Sequence, residues 1–192
     1  MCSGLYKMFS LQKNFENNES QPSFPIGSFI GIFIEDEEEH IFTFVRMIRN
    51  CSTRCETVYI YDSINPKEFM RILSKYCTIE GKEIYFKQRS ELFDGSGISN
   101  ESVKGFRQLL KYLTKEMRER KPDKLALRVI MDTEWIYKLY SKNIDEFTKF
   151  MNMAKEIIMG TNSILIFINN SKKSSGSFQY HLMQYCNYHI IG

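Results

Sequence analysis

Seven consecutive positions, Leu125-Ala126-Leu127-Arg128-Val129-Ile130-Met131, narrow the possible folds more than any other stretch of this chain. The run is apolar apart from one Arg, contains no Gly or Pro, and follows a Pro at position 122. A strand with one wet face alternates polar and apolar residues, whereas a near-continuous apolar run marks a strand covered on both faces. Such strands belong to parallel sheets, and parallel neighbours are joined by crossovers that are usually helical.

The rest of the chain supplies both parts. Short apolar runs at 28–34 (Ser-Phe-Ile-Gly-Ile-Phe-Ile), 57–61 (Thr-Val-Tyr-Ile-Tyr), 83–86 and 163–168 are predicted strands. Between them apolar residues recur at helical spacing: Ile41, Phe44, Val45 and Ile48; Phe69, Ile72, Leu73 and Tyr76 after Pro66; Val103, Phe106, Leu110, Leu113 and Met117 before Pro122. Phe147, Phe150, Met151, Ala154, Ile157 and Ile158 give a further helix, with Gly160 expected as its C-terminal cap. Residues 137–143 read as irregular, 178–186 as a last helix and 188–191 as a final edge strand. The alternation predicts an α/β fold, a three-layer α/β/α domain with a mostly parallel central sheet over 25–192. Residues 1–24 are polar and turn-rich, and are expected to form a flexible N-terminal arm with at most a short helix.

Composition excludes some classes of function. With 43% hydrophobic and 26% charged residues the 192-residue chain is globular, and a net charge of +3 gives no clear case for nucleic-acid binding. Five Cys, an odd number with no CxxC pair, point to reduced thiols. No apolar run approaches the ~18 residues that cross a bilayer, and residues 1–10 lack a signal-peptide core. A cytoplasmic protein without membrane contact is expected.

In an open α/β sheet, ligands bind outside the carboxyl ends of the strands. Those ends carry Glu35 and Asp36 after the first strand, Asp62 after the second, and Asp132-Thr133-Glu134-Trp135 after the 125–131 run. The carboxylates are expected to converge, binding a cation or an amine or forming the rim of a pocket. Other readings stand beside this one. Glu37, Glu38 and Glu39 suit the first turn of a helix facing water. Trp135, the sole Trp, serves equally as a ligand wall or as core. Lys172 and Lys173 lie in a loop read as flexible, and Cys51 and Cys55 lack the second pair that a zinc site needs. No nucleophile elbow is present, and His40, His181 and His189 are too scattered for a triad.

The order of strands and helices matches the RecA-like ATPase core of KaiC-type proteins. There the first strand leads to a GxxxxGK[ST] loop that holds phosphates, and a later strand ends in an Asp. The 125–132 segment looks like that later strand. The first-strand turn does not match: it reads Glu35-Asp36-Glu37-Glu38-Glu39, with neither Gly nor Lys, and would repel a triphosphate. Hydrolysis of ATP by the usual route is therefore not expected, nor is a bound cofactor.

The segment from Gly27 to Glu39 resembles the opening of the methanogen/methylotroph sensory (MEDS) domains, in which an apolar strand ends in an acidic turn. Thr57-Val58-Tyr59-Ile60-Tyr61-Asp62 resembles their second strand, and Met131-Asp132-Thr133-Glu134-Trp135 a variant of their Glu-Met-Ser/Thr-Trp segment. Tyr188-His189-Ile190-Ile191 is similar to their closing strand, which makes His189 a ligand candidate. The chain departs from the pattern by placing Asp-Thr ahead of Glu134-Trp135. The resemblance implies a RecA/KaiC-like domain without the phosphate loop that senses a small molecule non-catalytically. Its partner would be a signalling or regulatory protein, or a second copy in a homodimer. Two alternatives stay open: a pseudo-ATPase interaction module that pairs with a KaiC-like ATPase, and a divergent enzyme using the strand-end carboxylates.

Overall fold

The structure, a computed structural model, describes residues 7–10, 25–35, 55–61, 66–76, 84–93, 99–120 and 126–191. The predicted helix at 37–50, with His40 and the Glu37 to Glu39 turn, lies outside the described residues, as do Asp36, Cys51 and Asp62.

Among the described residues seven strands form one sheet: β1 (Lys7–Ser10), β2 (Phe29–Ile34), β3 (Cys55–Tyr61), β4 (Ile84–Gln88), β5 (Ala126–Asp132), β6 (Ser163–Asn170) and β7 (Tyr188–Ile191). Their order is β1-β7-β2-β6-β5-β3-β4, and every pairing is parallel. The helices are α1 (Pro66–Tyr76), α2 (Asn100–Arg120), α3 (Glu134–Lys142), α4 (Ile144–Gly160) and α5 (Gly176–Tyr185). The apolar runs stand at the centre of the sheet because they alone can bury both faces. Alternation then sorts their side chains. Phe29, Phe33, Val58, Ile60, Leu127, Val129, Met131, Leu165 and Phe167 pack with α2, α3, α4 and α5. Ile30, Ile32, Ile34, Tyr59, Ile130, Ile164, Ile166 and Ile168 form a second cluster on the opposite face, with Phe69 and Met70 of α1.

Two glycines are fixed by geometry. Gly27 has φ +84 and follows Pro25-Ile26, with the Ser28 amide donating to the Pro25 carbonyl at 3.1 Å, a tight turn that requires φ above zero at that place. Gly31, inside β2, leaves room for the Phe33 ring: a Cβ there would lie 2.7 Å from Phe33 Cε2.

Four expectations change. Lys7–Ser10, within the arm expected to be flexible, pairs with β7 as an edge strand, so β7 is interior and not the edge. Residues expected to be irregular form α3, because Trp135, Ile136, Leu139 and Tyr140 place an apolar stripe toward the core at helical spacing. Gly160 is the last residue of α4 and not its cap. Asn162 takes the left-handed conformation instead (φ 50), which Asn tolerates, and the Thr161 hydroxyl donates back to the Ile157 carbonyl at 2.7 Å. The 171–175 loop is a tied turn, as detailed below.

Candidate functional site at the carboxyl ends of the strands

β2, β6, β5 and β3 are neighbours in the sheet, so their carboxyl ends share one rim. Chain connections run both ways from this region, as at the crevices where open α/β sheets take ligands. The period-two alternation of the strands decides which side chains can meet there.

Asp132 follows Met131 and points to the α1 face, where the Tyr59 hydroxyl donates to Asp132 Oδ2 at 2.5 Å. Tyr59 is fully buried, and its ring packs against Phe69 and Phe86 with centroids 5.3 and 6.1 Å away. Burial first, then the neighbouring Asp132 charge and the hydrogen bond to it, push the Tyr59 hydroxyl well above its ordinary range, so the phenol stays protonated as a donor.

Thr133, one residue on, turns to the other face. Its hydroxyl donates to Asn169 Oδ1 at 2.9 Å, and its amide donates to the Ile168 carbonyl at 3.2 Å. Both side chains are buried, at 3% exposure for Thr133 and 1% for Asn169. The sheet thus separates the Asp132–Tyr59 pair from the Thr133–Asn169 pair.

Trp135 lies in the core. It stacks on Phe93 with centroids 5.1 Å apart, meets Phe150 edge-on at 4.9 Å, and has the Arg89 guanidinium 6.0 Å from its ring centre. Arg89 also donates through Nη1 to the Phe93 carbonyl at 3.0 Å, which fixes the turn that carries Phe93. Glu134 is exposed and pairs with Lys138 at 3.0 Å, one helical turn further on. Glu35 is exposed at the end of β2. His189 is buried on the Trp135 side of the sheet, edge-on to Phe33 at 6.3 Å, with Nε2 2.8 Å from the Met183 carbonyl near the end of α5. A carbonyl only accepts, so Nε2 carries the proton there.

The loop after β6 folds onto the end of β2. The Ser171 amide donates to the Ile34 carbonyl at 2.6 Å, the Lys172 amide to Asn170 Oδ1 at 3.0 Å, and Gln179 Nε2 to the Ser171 carbonyl at 2.9 Å. Lys172 and Lys173 are exposed on this tied turn.

Of the residues proposed from the sequence, Asp132, Glu134 and Trp135 lie within one four-residue stretch but diverge to one face, to solvent and to the other face. The residues missed were Tyr59, Thr133 and Asn169. Asn169 had a usable signal, since Asn169-Asn170 ends an apolar strand as abruptly as Asp132 does. Among the described residues, no three His, Cys, Asp or Glu side chains group closely enough to hold a metal ion, and no helix is long and apolar enough to cross a membrane.

No family model matches the chain, and no curated protein matches it. Solved structures do. The flagellar accessory protein FlaH of Methanocaldococcus jannaschii is similar at a TM-score of 0.53 and 16% identity, covering 88% of this chain and 72% of its own. A second solved structure, an ATPase domain, is similar at a TM-score of 0.54 and 11% identity, covering 88% of this chain and 70% of its own. At such identities the likeness is one of fold, and the fold is a RecA-like α/β domain with a parallel sheet and helices on its faces.

Proposed function

We propose that this chain is a non-catalytic regulatory domain of the MEDS kind, a RecA-like scaffold that binds a small molecule or a signalling partner in place of nucleotide. The Tyr59–Asp132 bond carries the reading. In nucleotide-hydrolysing relatives of this architecture, the Asp that ends the corresponding strand organises Mg²⁺. Here its Oδ2 is held by a buried phenol at 2.5 Å, an arrangement suited to holding β3 and β5 together. The sequence after β2 supports the same reading, because Glu35-Asp36-Glu37-Glu38-Glu39 offers neither the Gly nor the Lys of a phosphate loop. Asp132 Oδ2 held by Tyr59, and a sequence after β2 without Gly or Lys, both argue against a Mg²⁺-triphosphate site, so no hydrolytic step is assigned. With no catalytic group in play, output would pass through a regulatory protein or a second copy of the chain.

A thermal-shift screen of the whole chain against a metabolite panel tests this. At least one uncharged compound is expected to raise the melting temperature, and Mg·ATP is not. A saturable rise with Mg·ATP overturns the reading.

A further inference from the structure

The wet face of α2 carries one sign of charge. Its apolar stripe, Phe106, Leu110 and Leu113, faces the core, and Lys104, Arg107, Lys111 and Lys115 stand exposed on the other side. No Asp or Glu occurs from Ser102 to Lys115. Residues three and four apart are neighbours on a helix, so each of these cations lies about 5–6 Å from the next, and like charges at that spacing weaken a helix. The domain does little to offset them. Arg107 lies 3.9 Å from Glu156 of α4 and Lys115 lies 3.8 Å from Glu119, both in exposed pairs of small worth. Glu116, the next acid along, accepts from the Tyr112 hydroxyl at 2.6 Å. Lys104 and Lys111 pair with no carboxylate among the described residues. The Tyr112 ring, in a residue 58% exposed, flanks the row and adds apolar area of the kind that anchors interfaces.

Charge complementarity names the occupant. The densest run of carboxylates in the chain is Glu35-Asp36-Glu37-Glu38-Glu39, which begins at exposed Glu35 where β2 ends. α2 packs on β5, two strands away from β2, and its cationic row points outward from the sheet. The row is therefore open to another molecule, and single-sign surfaces steer and orient an oppositely charged one. A nucleic acid has the same sign, but single strands bind by stacking bases on aromatic rings. Among the described residues of this helix face Tyr112 is the one ring, and its hydroxyl is held by Glu116. We infer that the cationic row of α2 docks the acidic run of a second copy of this chain. The two patches differ, so the contact is heterologous, and it closes as a dimer when each copy gives its row to the other's run. The inference rests on the regulatory reading above, in which output passes through another chain, and names that chain.

The test is sedimentation equilibrium of the whole chain at up to about 0.5 mM, in about 0.02 M and about 0.5 M NaCl. The wild-type chain is expected to dimerise at low salt, with a dissociation constant about tenfold larger at high salt. Lys104→Glu with Lys111→Glu, and separately Glu35→Lys with Glu38→Lys, are each expected to sediment as monomers. An equimolar mixture of the two variants is expected to dimerise, because one native contact is kept and the other is matched with its charges exchanged. The wild-type salt series carries the readout whether or not the variants fold. A wild-type chain that stays monomeric at low salt, a dimer that salt leaves unchanged, or folded variants that stay monomeric when mixed overturns the inference. So does a monomeric chain that binds a single-stranded oligonucleotide through Lys104 and Lys111. No ligand is added, so these outcomes leave the regulatory reading to the thermal-shift screen, which separates the two failures.

Discussion

Tyr59→Phe removes one oxygen from the interior and leaves the ring that Phe69 and Phe86 enclose. What is lost is a hydrogen bond to a charged group, formed at 2.5 Å between a fully buried residue and a half-buried carboxylate. Bonds of that kind contribute about 1.5–3 kcal/mol. Taking about 2 kcal/mol, and about 2–4 °C per kcal/mol for a domain of this size, the melting temperature should fall by about 4–8 °C. Urea unfolding followed by Trp135 fluorescence gives the same quantity as a shift in midpoint at constant slope. The pH dependence adds a signed check. Burial and Asp132 raise the Tyr59 pKa above its ordinary value of 10.0, so the native state holds a proton that the unfolded state releases. This contribution is complete below about pH 10 and declines as pH rises beyond it, by about 1.4 kcal/mol per unit for one proton. Tyr59→Phe lacks it, so the two stability curves should converge above pH 10. Equal stability within about 0.5 kcal/mol at pH 7, with curves that stay parallel at alkaline pH, would refute the assigned bond.

Gly31→Ala should destabilise by about 1–3 kcal/mol in chemical denaturation, because the new methyl meets the enclosed Phe33 ring and lies 3.1 Å from Cys186 Sγ. Cys186 is buried, and burial pushes its thiol pKa up, so alkylation read by peptide mass spectrometry should spare it in the native protein and modify it on unfolding. Asn143→Ala should cost about 1 kcal/mol, since Asn143 Oδ1 accepts the Asp145 amide at 2.9 Å and caps α4.

The sheet was legible because its central strands are buried on both faces, which forces long apolar runs such as Leu127 to Met131 and Ile164 to Ile168. β1 was not, because four residues on an edge need no apolar run; parallel pairing to β7 creates that strand. α3 was missed for a related reason. Its stripe spans only Trp135 to Tyr140 and begins directly at a strand end, where a loop is the usual expectation. The candidate site was legible as a place and not as a set of contacts. Strand-end position identified Asp132, Glu134 and Trp135, but contacts depend on face. Adjacent Asp132 and Thr133 reach opposite sides of the sheet, and the partners that hold them, Tyr59 and Asn169, lie 73 and 36 residues away in sequence.

The proposed absence of nucleotide chemistry on this RecA-like scaffold is tested most directly by phosphate release from Mg·ATP, comparing the wild-type chain with Asp132→Asn. Asn keeps an acceptor for the Tyr59 hydroxyl while removing the charge that a metal ion would need. The expected result is the buffer rate of release for both proteins. Sustained turnover by the wild-type chain that Asp132→Asn abolishes would contradict it, and would make Asp132 a catalytic carboxylate.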